Sequence, residues 1–530
     1  MEVISKIGLY TRTISHLKMK QVAYQFKYRF VKPRNLKKHS GGNFSVTRLK
    51  FQEIPVQYEI LAVSDTHLKF NFLNLQKEFE GAVDWNFQGF GKLWNYNLQY
   101  LDFLKQQSVS FEIKAKLLAE VYNNLWDGRL RLEPYPVSLR IMNVIRFFST
   151  QEIIRPDDEV FVMVFAEAKY LSKNLEFHIL ANHLLENLFA LLMAGHFFGN
   201  EDWIKKAERF LEIELEEQIL RDGAHFELSP MYHQIILFRI LEAIGYLSES
   251  SQVRGLLQQK AILMLSWLNE VSFSNGEVPH FNDSTYGVSL NTTQLNQLAS
   301  LQALPINKNI HLKESGYRKF KNSRMELVID VNGISPGYQP GHAHADTFSF
   351  VLYILDFPII VDAGVSTYNI SSRRDLERST MLHNTVSING GNSSEVWAGF
   401  RVGRRAIVTI HEDSDQGIFA SHSGYRNLGI EVFRRLKISN GRIEIEDLLV
   451  GDLSLVKPQL NFHFHPSISI RDVGENTFSI GKDILMEFDS KLSVAIQEYD
   501  YCLGFNKLAK AKKINVVGFK EDVKTTIKIN

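Results

Sequence analysis

The densest group of residues that could do chemistry lies in PGYQPGHAHAD, residues 336–346. His342 and His344 are two residues apart, so in an extended stretch they would point the same way. This spacing suits two metal ligands, or one ligand beside a catalytic imidazole. Together with Asp362 and His383, both next to predicted strands, His344 would complete a metal site of two histidines and one aspartate. The alternative is an ordinary hydrogen-bonded role in turns.

A second group lies within and after the apolar segment NLEFHILANHLLEN. Asn182 in this segment would be unfavourable to bury without a hydrogen-bond partner. Tyr232 follows Ser229-Pro230, an N-cap with proline at the first helical position, so it should lie in the first turn of a helix. The positive end of the helix dipole would favour a phenolate there. Both residues also fit structural roles, Asn182 as a link between helices and Tyr232 as a buried aromatic.

A third group is a run of arginines with a tryptophan in residues 370–405. Guanidinium groups bind carboxylates through paired hydrogen bonds, and aromatic rings stack on sugars, so this composition suits an acidic sugar. We expect Arg374, Arg378 and Trp397 to contact such a substrate, together with His183 beside Asn182. A solvated charged face is the alternative for the arginines.

The elements that must position these residues change character near residue 310. After residue 315 the pattern has period two, and Asn440-Gly441 predicts a hairpin between two alternating runs. We therefore predict an α+β chain, with an α-helical domain over 1–310 and an antiparallel β-sandwich over 311–530. Before the boundary, helical periodicity joined by short connections predicts antiparallel helices over 111–127, 137–149, 157–172, 174–198, 201–219, 231–248 and 252–272.

Composition excludes several classes of function. The 530 residues carry 60 basic and 59 acidic side chains, which gives no electrostatic case for nucleic acid or a membrane as the main partner. No apolar stretch is long enough for a transmembrane helix, and no signal-peptide core is visible, so we expect a cytoplasmic protein, with the periplasm as the alternative. The single cysteine, Cys502, excludes a disulfide framework. Nucleotide-binding glycine loops and the GxSxG elbow are absent from the sequence.

Five motifs, in order over residues 170–390, resemble those of the heparinase II/III-like polysaccharide lyases: NHLLEN, DGAHFELSPMYH, PGHAHADTFSF, VDAG to TYN, and RSTMLHNTV. PYPVSLRIMN and FHFHP extend the similarity more weakly over most of the chain. The resemblance implies an N-terminal α/α toroid, an incomplete barrel, followed by a C-terminal antiparallel β-sandwich. It also implies β-elimination on a glycan that contains uronic acid, in a degradative or a biosynthetic role.

Such a lyase needs a group that neutralises the uronate carboxylate, a base for the C5 proton and an acid for the glycosidic oxygen. By motif position, the resemblance gives the first role to Asn182 and makes Tyr232 and His342 the acid and base. We expect these three to lie within about 10 Å of one another at the domain interface. The resemblance also implies a structural divalent metal, with Zn²⁺ favoured over Ca²⁺ by ligand softness, on His344, Asp362 and His383.

Two other functions stay open at this point. A glycoside hydrolase on the same toroid would need two carboxylates about 5–10 Å apart, for which Glu186, Asp222 and Glu227 are available. A non-catalytic glycan-binding protein of surface-polysaccharide assembly is the other alternative, although a pure binder would not need the catalytic set. The expected partner in each case is an acidic polysaccharide or oligosaccharide. The glycan, the cleavage mode and the oligomeric state are left open.

Overall fold

The computed structural model describes residues 2–31, 36, 46–53, 59–64, 67–151 and 159–530. Helices dominate the first part of the chain and strands the second. The helices are α1 (Glu2–Ile14), α2 (Met19–Phe30), α3 (Lys92–Tyr100), α4 (Phe111–Trp126), α5 (Pro134–Ser149), α6 (Glu159–Lys173), α7 (Ala181–Phe198), α8 (Glu201–Gln218), α9 (Pro230–Tyr246), α10 (Gln252–Val271), α11 (Thr292–Leu301) and α12 (Ser372–Glu377).

The strands form antiparallel sheets. Three short ones lie between α2 and α3 in the first part: β1 (Leu61–Val63), β2 (His67–Phe72) and β3 (Leu75–Glu80). The others are β4 (Tyr317–Lys321), β5 (Met325–Asp330), β6 (Phe350–Ile354), β7 (Phe357–Ile360), β8 (Val386–Ile388), β9 (Val396–Trp397), β10 (Arg401–Val402), β11 (Val408–Ser414), β12 (Gly417–His422), β13 (Glu431–Ser439), β14 (Arg442–Val450), β15 (Pro458–His463), β16 (Ile470–Gly474), β17 (Thr477–Ile480), β18 (Ile484–Phe488), β19 (Ser493–Gly504), β20 (Lys507–Val517) and β21 (Asp522–Ile529).

Helix α7 is the centre of the helical region. It packs against α5, α6, α8 and α9, and almost every residue along it is buried. A helix that is apolar on all sides requires neighbours on all sides. The helix ends at Gly199, which has φ +62°, and Asn200 then caps α8 by accepting a hydrogen bond from the backbone N–H of Trp203. This end was predicted from the Gly-Asn pair and is confirmed.

The start of α7 differs from the prediction, which placed it at residue 174. Leu180 and Ala181 have φ values of +68° and +53°, and these interrupt the helix although the apolar spacing continues. The preceding turn is held by Asn187, whose side-chain oxygen accepts a hydrogen bond of 2.8 Å from the backbone N–H of Glu176. Consequently Asn182 lies in the first turn of α7 rather than in its middle.

Two further predictions need adjustment. Strands β1, β2 and β3 form a small sheet in a region for which only helices were predicted. Residues 157 and 158 of the helix predicted over 157–172 lie outside the described residues, and the helix observed there begins at Glu159. None of the described helices is long and apolar enough to cross a bilayer.

The second part of the chain is a β-sandwich. An eight-stranded sheet in the order β11-β12-β13-β14-β21-β18-β17-β16 shares one core with the four-stranded sheets β19-β20-β15-β8 and β4-β5-β6-β7. Leu436 and Ile445 contribute to this core from the first sheet, Ile514 from the second and Leu352 from the third. The hairpin of β13 and β14 turns at Asn440-Gly441, as predicted, with Gly441 at φ +72°.

The two parts share a buried apolar cluster. Trp267 and Phe281 from the first part pack with Tyr317, Val328 and Val351 from the sandwich. This contact buries the segment that precedes α11 under the sandwich loop of residues 340–346, where the backbone N–H of residue 283 donates to the carbonyl of residue 342 at 2.9 Å. The loops that carry the predicted site residues are thus held in contact by the shared core.

We predict that Asp447→Ala destabilises the sandwich by about 3–5 kcal/mol, because it leaves the buried guanidinium of Arg434 without a counter-ion. Asp447 binds Arg434 at 2.7 and 2.9 Å, and Arg434 also donates to the carbonyls of Phe348 and Asn384. Denaturant unfolding measures the effect. The neighbouring Glu446→Ala breaks an exposed pair with Lys524 and should cost less than about 1 kcal/mol; equal losses would contradict the prediction.

Candidate active site

A cavity of about 840 Å³ lies between the helical region and the sandwich. Its helical wall is made by residues of α3, α5, α7 and α9, and its sandwich wall by loop residues. Four of the predicted site residues line it: Asn182, His183, Tyr232 and His342. Its volume is in the range of small-molecule and oligosaccharide sites.

The structure brings Asn182, Tyr232 and His342 together in this cavity. The side-chain nitrogen of Asn182 lies 3.4 Å from Nε2 of His342. The rings of Tyr232 and His342 are stacked, with their centroids 3.9 Å apart. Because the three come from α7, α9 and a sandwich loop, the site exists only when the two parts of the chain are packed together.

Asn182 and Tyr232 each lie at the start of a helix. The hydroxyl of Ser229 caps α9 by accepting a hydrogen bond from the backbone N–H of Tyr232, as the Ser-Pro signal predicts. Helix N-termini carry partial positive charge and unpaired N–H groups. The cavity therefore meets the positive ends of α7 and α9, an arrangement that favours an anionic ligand.

The carboxylate of Glu227 fixes the amide of Asn182. It accepts hydrogen bonds from the side-chain nitrogen of Asn182 at 3.0 Å and from its backbone N–H at 3.3 Å. One N–H of the amide is thereby directed to Glu227, and the other is free to point towards His342 and the cavity. From the sequence, Glu227 was a candidate for a hydrolase carboxylate. In the structure it is a hydrogen-bond partner of Asn182.

The three carboxylates considered for a glycoside hydrolase are all engaged. Glu186 accepts from Arg239, and Asp222 accepts from the backbone N–H and hydroxyl of Ser315. Of the three, Glu186 lines the cavity, whereas Asp222 and Glu227 do not. Hydrolysis needs two carboxylates facing the same glycosidic bond. This set does not provide them.

Asp283 is the functional residue that sequence reasoning missed. Its carboxylate accepts from Nδ1 of His342 at 2.8 Å, from Nε2 of His344 at 2.8 Å and from both terminal nitrogens of Arg374. Burial alone would raise the pKa of the Asp283 carboxyl, but Arg374 and the two histidines hold that pKa well below its ordinary value. Because an ionised Asp283 can only accept, Nδ1 of His342 is its donor, and in the neutral tautomer this leaves the lone pair of Nε2 facing Asn182 and the cavity.

Tyr232 is in an environment that keeps its phenol protonated. Burial raises its pKa well above the ordinary value, and Tyr368, whose hydroxyl lies 3.4 Å away, and Asp283 and Glu227 raise that pKa further. The sequence-based expectation that the helix N-terminus favours a phenolate therefore does not hold for this cavity. Burial and neighbouring acidic groups outweigh the helix dipole.

The predicted metal ligands are neighbours in the sandwich. Nδ1 of His383 lies 2.7 Å from the carboxylate of Asp362, and the rings of His344 and His383 are 5.3 Å apart. Nδ1 of His344 and Nε2 of His383 are buried and have no hydrogen-bond partner among the described residues. Burial raises the pKa of the Asp362 carboxyl, but His383, the backbone N–H of Gly364 and His344 together lower it by more, so the carboxylate is ionised. Within the described ranges, no group of three or more His, Cys, Asp or Glu is arranged to hold a metal ion.

Of the predicted substrate contacts, His183 lies in the cavity wall and the other three do not. The ring of His183 is tilted by 42° against that of Tyr135, with centroids 4.3 Å apart, and its Nδ1 lies 3.3 Å from Glu176. Arg374 is fully buried, and its guanidinium is paired with the carboxylate of Asp283. The expectation that it contacts substrate is therefore corrected to a structural role.

Arg378 and Trp397 also turn away from the cavity. Arg378 is buried and donates twice to the carbonyl of Ala343, so it supports the loop that carries His342. Burial lowers the pKa of Arg378 to about 9. The indole N–H of Trp397 donates to Thr13 in α1. The residue types of Arg378 and Trp397 suit an acidic sugar, but their hydrogen bonds are made to the protein itself. They hold the sandwich loop and helix α1 in place.

The cations that do line the cavity come from the helical region. Among the described residues, all but one of these cations are ion-paired with carboxylates, and the paired ones present no net charge to a ligand. Arg131 is exposed and forms no ion pair with a described carboxylate, so its guanidinium is available to an anionic substrate group. Nothing in the local sequence distinguishes it. The paired cations are Lys92 with Glu133, Lys105 with Asp102, and Arg239 with Glu186.

Two family models match adjoining parts of the chain. "Heparinase II/III N-terminus" matches residues 92–311, and "Heparinase II/III-like, C-terminal" matches residues 307–530. Among curated proteins, the heparin-sulfate lyase of Pedobacter heparinus is 26% identical over 258 residues, covering 43% of this chain and 38% of that protein. That of Bacteroides thetaiotaomicron is 25% identical over 345 residues, covering 55% and 48%. The matches thus span less than half of each relative.

Solved structures share the fold over nearly the whole chain. The crystal structure of heparinase III has a TM-score of 0.63 at 16% identity and covers 96% of this chain and 89% of its own. That of heparan sulfate lyase HepC from Pedobacter heparinus has a TM-score of 0.57 at 16% identity and covers 96% and 87%. These likenesses confirm the predicted α+β fold class.

We predict that Asp283→Ala lowers the free energy of unfolding by about 3–5 kcal/mol, because it leaves the buried guanidinium of Arg374 without a counter-ion. Adding Arg374→Met should restore part of this loss, since the methionine removes the unpaired buried charge while its side chain has a volume similar to that of arginine. Denaturant unfolding of both single variants and the double variant measures the coupling. Asp375→Ala, on the exposed face of α12, is the control. Additive effects within about 0.5 kcal/mol would show that the two side chains are not coupled.

Proposed function

The chain belongs to the heparinase II/III-like family, and from this premise we propose that it is a polysaccharide lyase that cleaves an acidic, uronic-acid-containing glycan by β-elimination. The observation that carries the proposal is the convergence of Asn182, Tyr232 and His342 in one interdomain cavity. The match to the curated relatives covers less than half of their length, so the activity rests on the site as well as on the family.

In the proposed mechanism, Asn182 neutralises the uronate carboxylate. Glu227 occupies one N–H of its amide and so leaves the other to donate to the substrate. The N-termini of α7 and α9 add partial positive charge at the same place. Donors at this position stabilise the negative charge that spreads onto the carboxylate as the C5 proton leaves, which lowers the barrier to its removal.

Proton transfer is then divided between His342 and Tyr232. Nε2 of His342 takes the C5 proton, the bond between C4 and its oxygen breaks, and a C4–C5 double bond forms. Tyr232, which keeps its proton because of burial, gives that proton to the departing oxygen. This division suits sugars whose C5 proton faces His342. For the other C5 epimer, Tyr232 would have to serve as base first, which its environment opposes.

We also propose that His344, Asp362 and His383 hold a structural divalent metal, with Zn²⁺ favoured. Nδ1 of His344 and Nε2 of His383 are buried, have no partner among the described residues and are suitable donors for such an ion. The ionised carboxylate of Asp362, which accepts from Nδ1 of His383, would turn from that nitrogen to join them. When bound, the ion would tie together the sandwich loops that carry these ligands, next to Asp283 and the histidine it orients. No proton-transfer step depends on it.

The proposal is tested with purified full-length protein and a panel of uronic-acid-containing polysaccharides. Elimination leaves a conjugated 4,5-double bond that absorbs in the ultraviolet, whereas hydrolysis produces new reducing ends without this absorbance. We expect absorbance to rise with at least one glycan of the panel. Reducing ends without absorbance would indicate a hydrolase. Binding without either product would indicate a glycan-binding protein.

We predict that Tyr232→Phe lowers kcat by about 10²-fold or more and leaves KM nearly unchanged, because only the proton-donating hydroxyl is removed. Steady-state kinetics on the glycan identified above measure both constants. Tyr170→Phe is the matched control, since Tyr170 lines the same cavity but its hydroxyl donates to the backbone carbonyl of Leu132. Retention of more than about a tenth of kcat, a loss under 1.4 kcal/mol, would remove Tyr232 from proton transfer.

We predict about one divalent ion per chain by elemental analysis, with zinc as the expected element. Asp362→Ala should lower both the metal content and the melting temperature, because two imidazoles alone bind a metal weakly. Asp415→Ala, in the exposed turn between β11 and β12, should change neither. Metal-free protein whose melting temperature is unaffected by chelators would contradict the site.

A further inference from the structure

Helix α2 carries large apolar side chains that the described residues leave uncovered. Met19 is 82% exposed, Phe26 60% and Phe30 76%. Together with Ala23, which is also exposed, they follow the i, i+4, i+7, i+11 spacing of one helix face. A soluble protein rarely leaves a continuous stripe of this kind open to water unless something binds to it.

The opposite side of α2 is anchored to the protein. Gln21 is buried and donates to the carbonyls of Ile179 and Tyr338, and the hydroxyl of Tyr28 donates to the carbonyl of Leu175 at 2.6 Å. The helix is therefore fixed through one face and displays the other. The apolar stripe is a feature of the folded protein and not of a loose end.

Helix α1 also has an exposed apolar face. Ile7, Tyr10 and Ile14 are exposed, and their i, i+3, i+7 spacing places them on one face. The helix is held to the sandwich by the ion pair of Arg12 with Glu395 and by the hydrogen bond from Trp397 to Thr13. Each of the first two helices is thus anchored and exposes an apolar face, and together we call them the N-terminal helix pair (Glu2–Phe30).

The N-terminal helix pair is strongly basic, although the whole chain is almost neutral. Residues 1–31 contain six Lys or Arg side chains and one acidic residue, whereas the remainder has 54 basic and 58 acidic side chains. Lys20, Lys27 and Arg29 are exposed on α2, next in sequence to the stripe residues Met19, Phe26 and Phe30, and form no ion pair with a described carboxylate. The apolar stripe is therefore flanked by cations.

We propose that the N-terminal helix pair docks on the surface of a lipid bilayer that contains anionic headgroups. An apolar stripe flanked by Lys and Arg is the pattern of helices that lie in the membrane interface, with rings among the acyl chains and cations at the headgroups. At 12 residues, α2 is too short to span a bilayer, so it would lie along the surface. A second copy of this chain is a poorer occupant, because a twofold contact would bring the same cations together.

This docking would bring the proposed active site close to the membrane. Tyr28, on the inner side of α2, lines the cavity and contacts His178 with ring centroids 4.7 Å apart. One helix, about 10 Å across, would therefore separate the cavity from the lipid surface. A glycan in the cavity would be handled beside the bilayer. The inference does not depend on the reaction that the cavity catalyses.

The test is flotation of the full-length protein with vesicles at about 0.15 M salt. One set contains only phosphatidylcholine, and the other contains phosphatidylcholine with about one third phosphatidylglycerol. We expect binding to the anionic vesicles and little to the neutral ones, and weaker binding in about 1 M salt, where charges are screened within about 3 Å. No binding to either set, or equal binding to both, would overturn the proposal.

Variants separate the apolar and the charged contributions. Phe26→Ser with Phe30→Ser, and independently Lys20→Glu with Lys27→Glu, should each weaken binding to anionic vesicles about tenfold or more. Phe357→Ser removes an aromatic ring that is 70% exposed on β7 and should leave binding unchanged. Melting temperatures verify that each variant folds, and the charge variant keeps the test decisive if the phenylalanine variant does not. If size-exclusion chromatography shows a dimer that the phenylalanine variant abolishes, the N-terminal helix pair is instead a self-association surface, and the lipid proposal fails.

Discussion

A fully buried carboxylate, that of Asp283, has to be ionised for the site to keep its geometry. Arg374 supplies the counter-charge, and His342 and His344 supply the remaining hydrogen bonds. An isolated buried carboxylate would take up a proton and would then no longer fix the tautomer of either histidine. Arg374 is therefore tied to Asp283 rather than to substrate, because the orientation of the imidazoles depends on that ion pair.

Asp283 also connects the two structural halves. It belongs to the segment before α11, whereas its three partners come from the sandwich, and its own backbone N–H donates to the carbonyl of His342. The shared cluster around Trp267 and Tyr317 holds these loops in contact. Polar groups alone would not stabilise such an interface, since buried ion pairs roughly balance their desolvation penalty. Apolar burial holds the halves together, and the ion pair between Asp283 and Arg374 fixes their relative position at the site.

Sequence patterns predicted the elements well where local rules decide the structure. The Asn440-Gly441 hairpin, the end of α7 at Gly199 and the Ser229-Pro230 start of α9 follow from turn and cap chemistry. The start of α7 could not be predicted, because the apolar period continues through 174–180 while the backbone at Leu180 and Ala181 leaves the helical region. Periodicity reports which face is buried, not where φ changes sign.

The site was predicted unevenly for a related reason. Asn182, Tyr232 and His342 occur in motifs, so a resemblance could find them, and the structure brings them together. Asp283 lies in an irregular segment with no periodic signal, and only the tertiary contacts reveal its partners. The arginines of 370–405 suit a carboxylate by type. Whether that carboxylate belongs to a substrate or to the protein itself depends on burial, which residue type alone does not determine.

Tyr232 and His342, the stacked pair in the cavity, also have to return to their initial protonation states after each turnover of the proposed mechanism. Elimination leaves the C5 proton on His342 and a phenolate on Tyr232. Burial and the neighbouring carboxylates raise the pKa of Tyr232 well above its ordinary value, so the phenolate is the less stable form and readily regains a proton. The imidazolium beside it is a suitable donor, directly or through water. The environment that keeps Tyr232 an acid before the reaction thus also resets the pair after it.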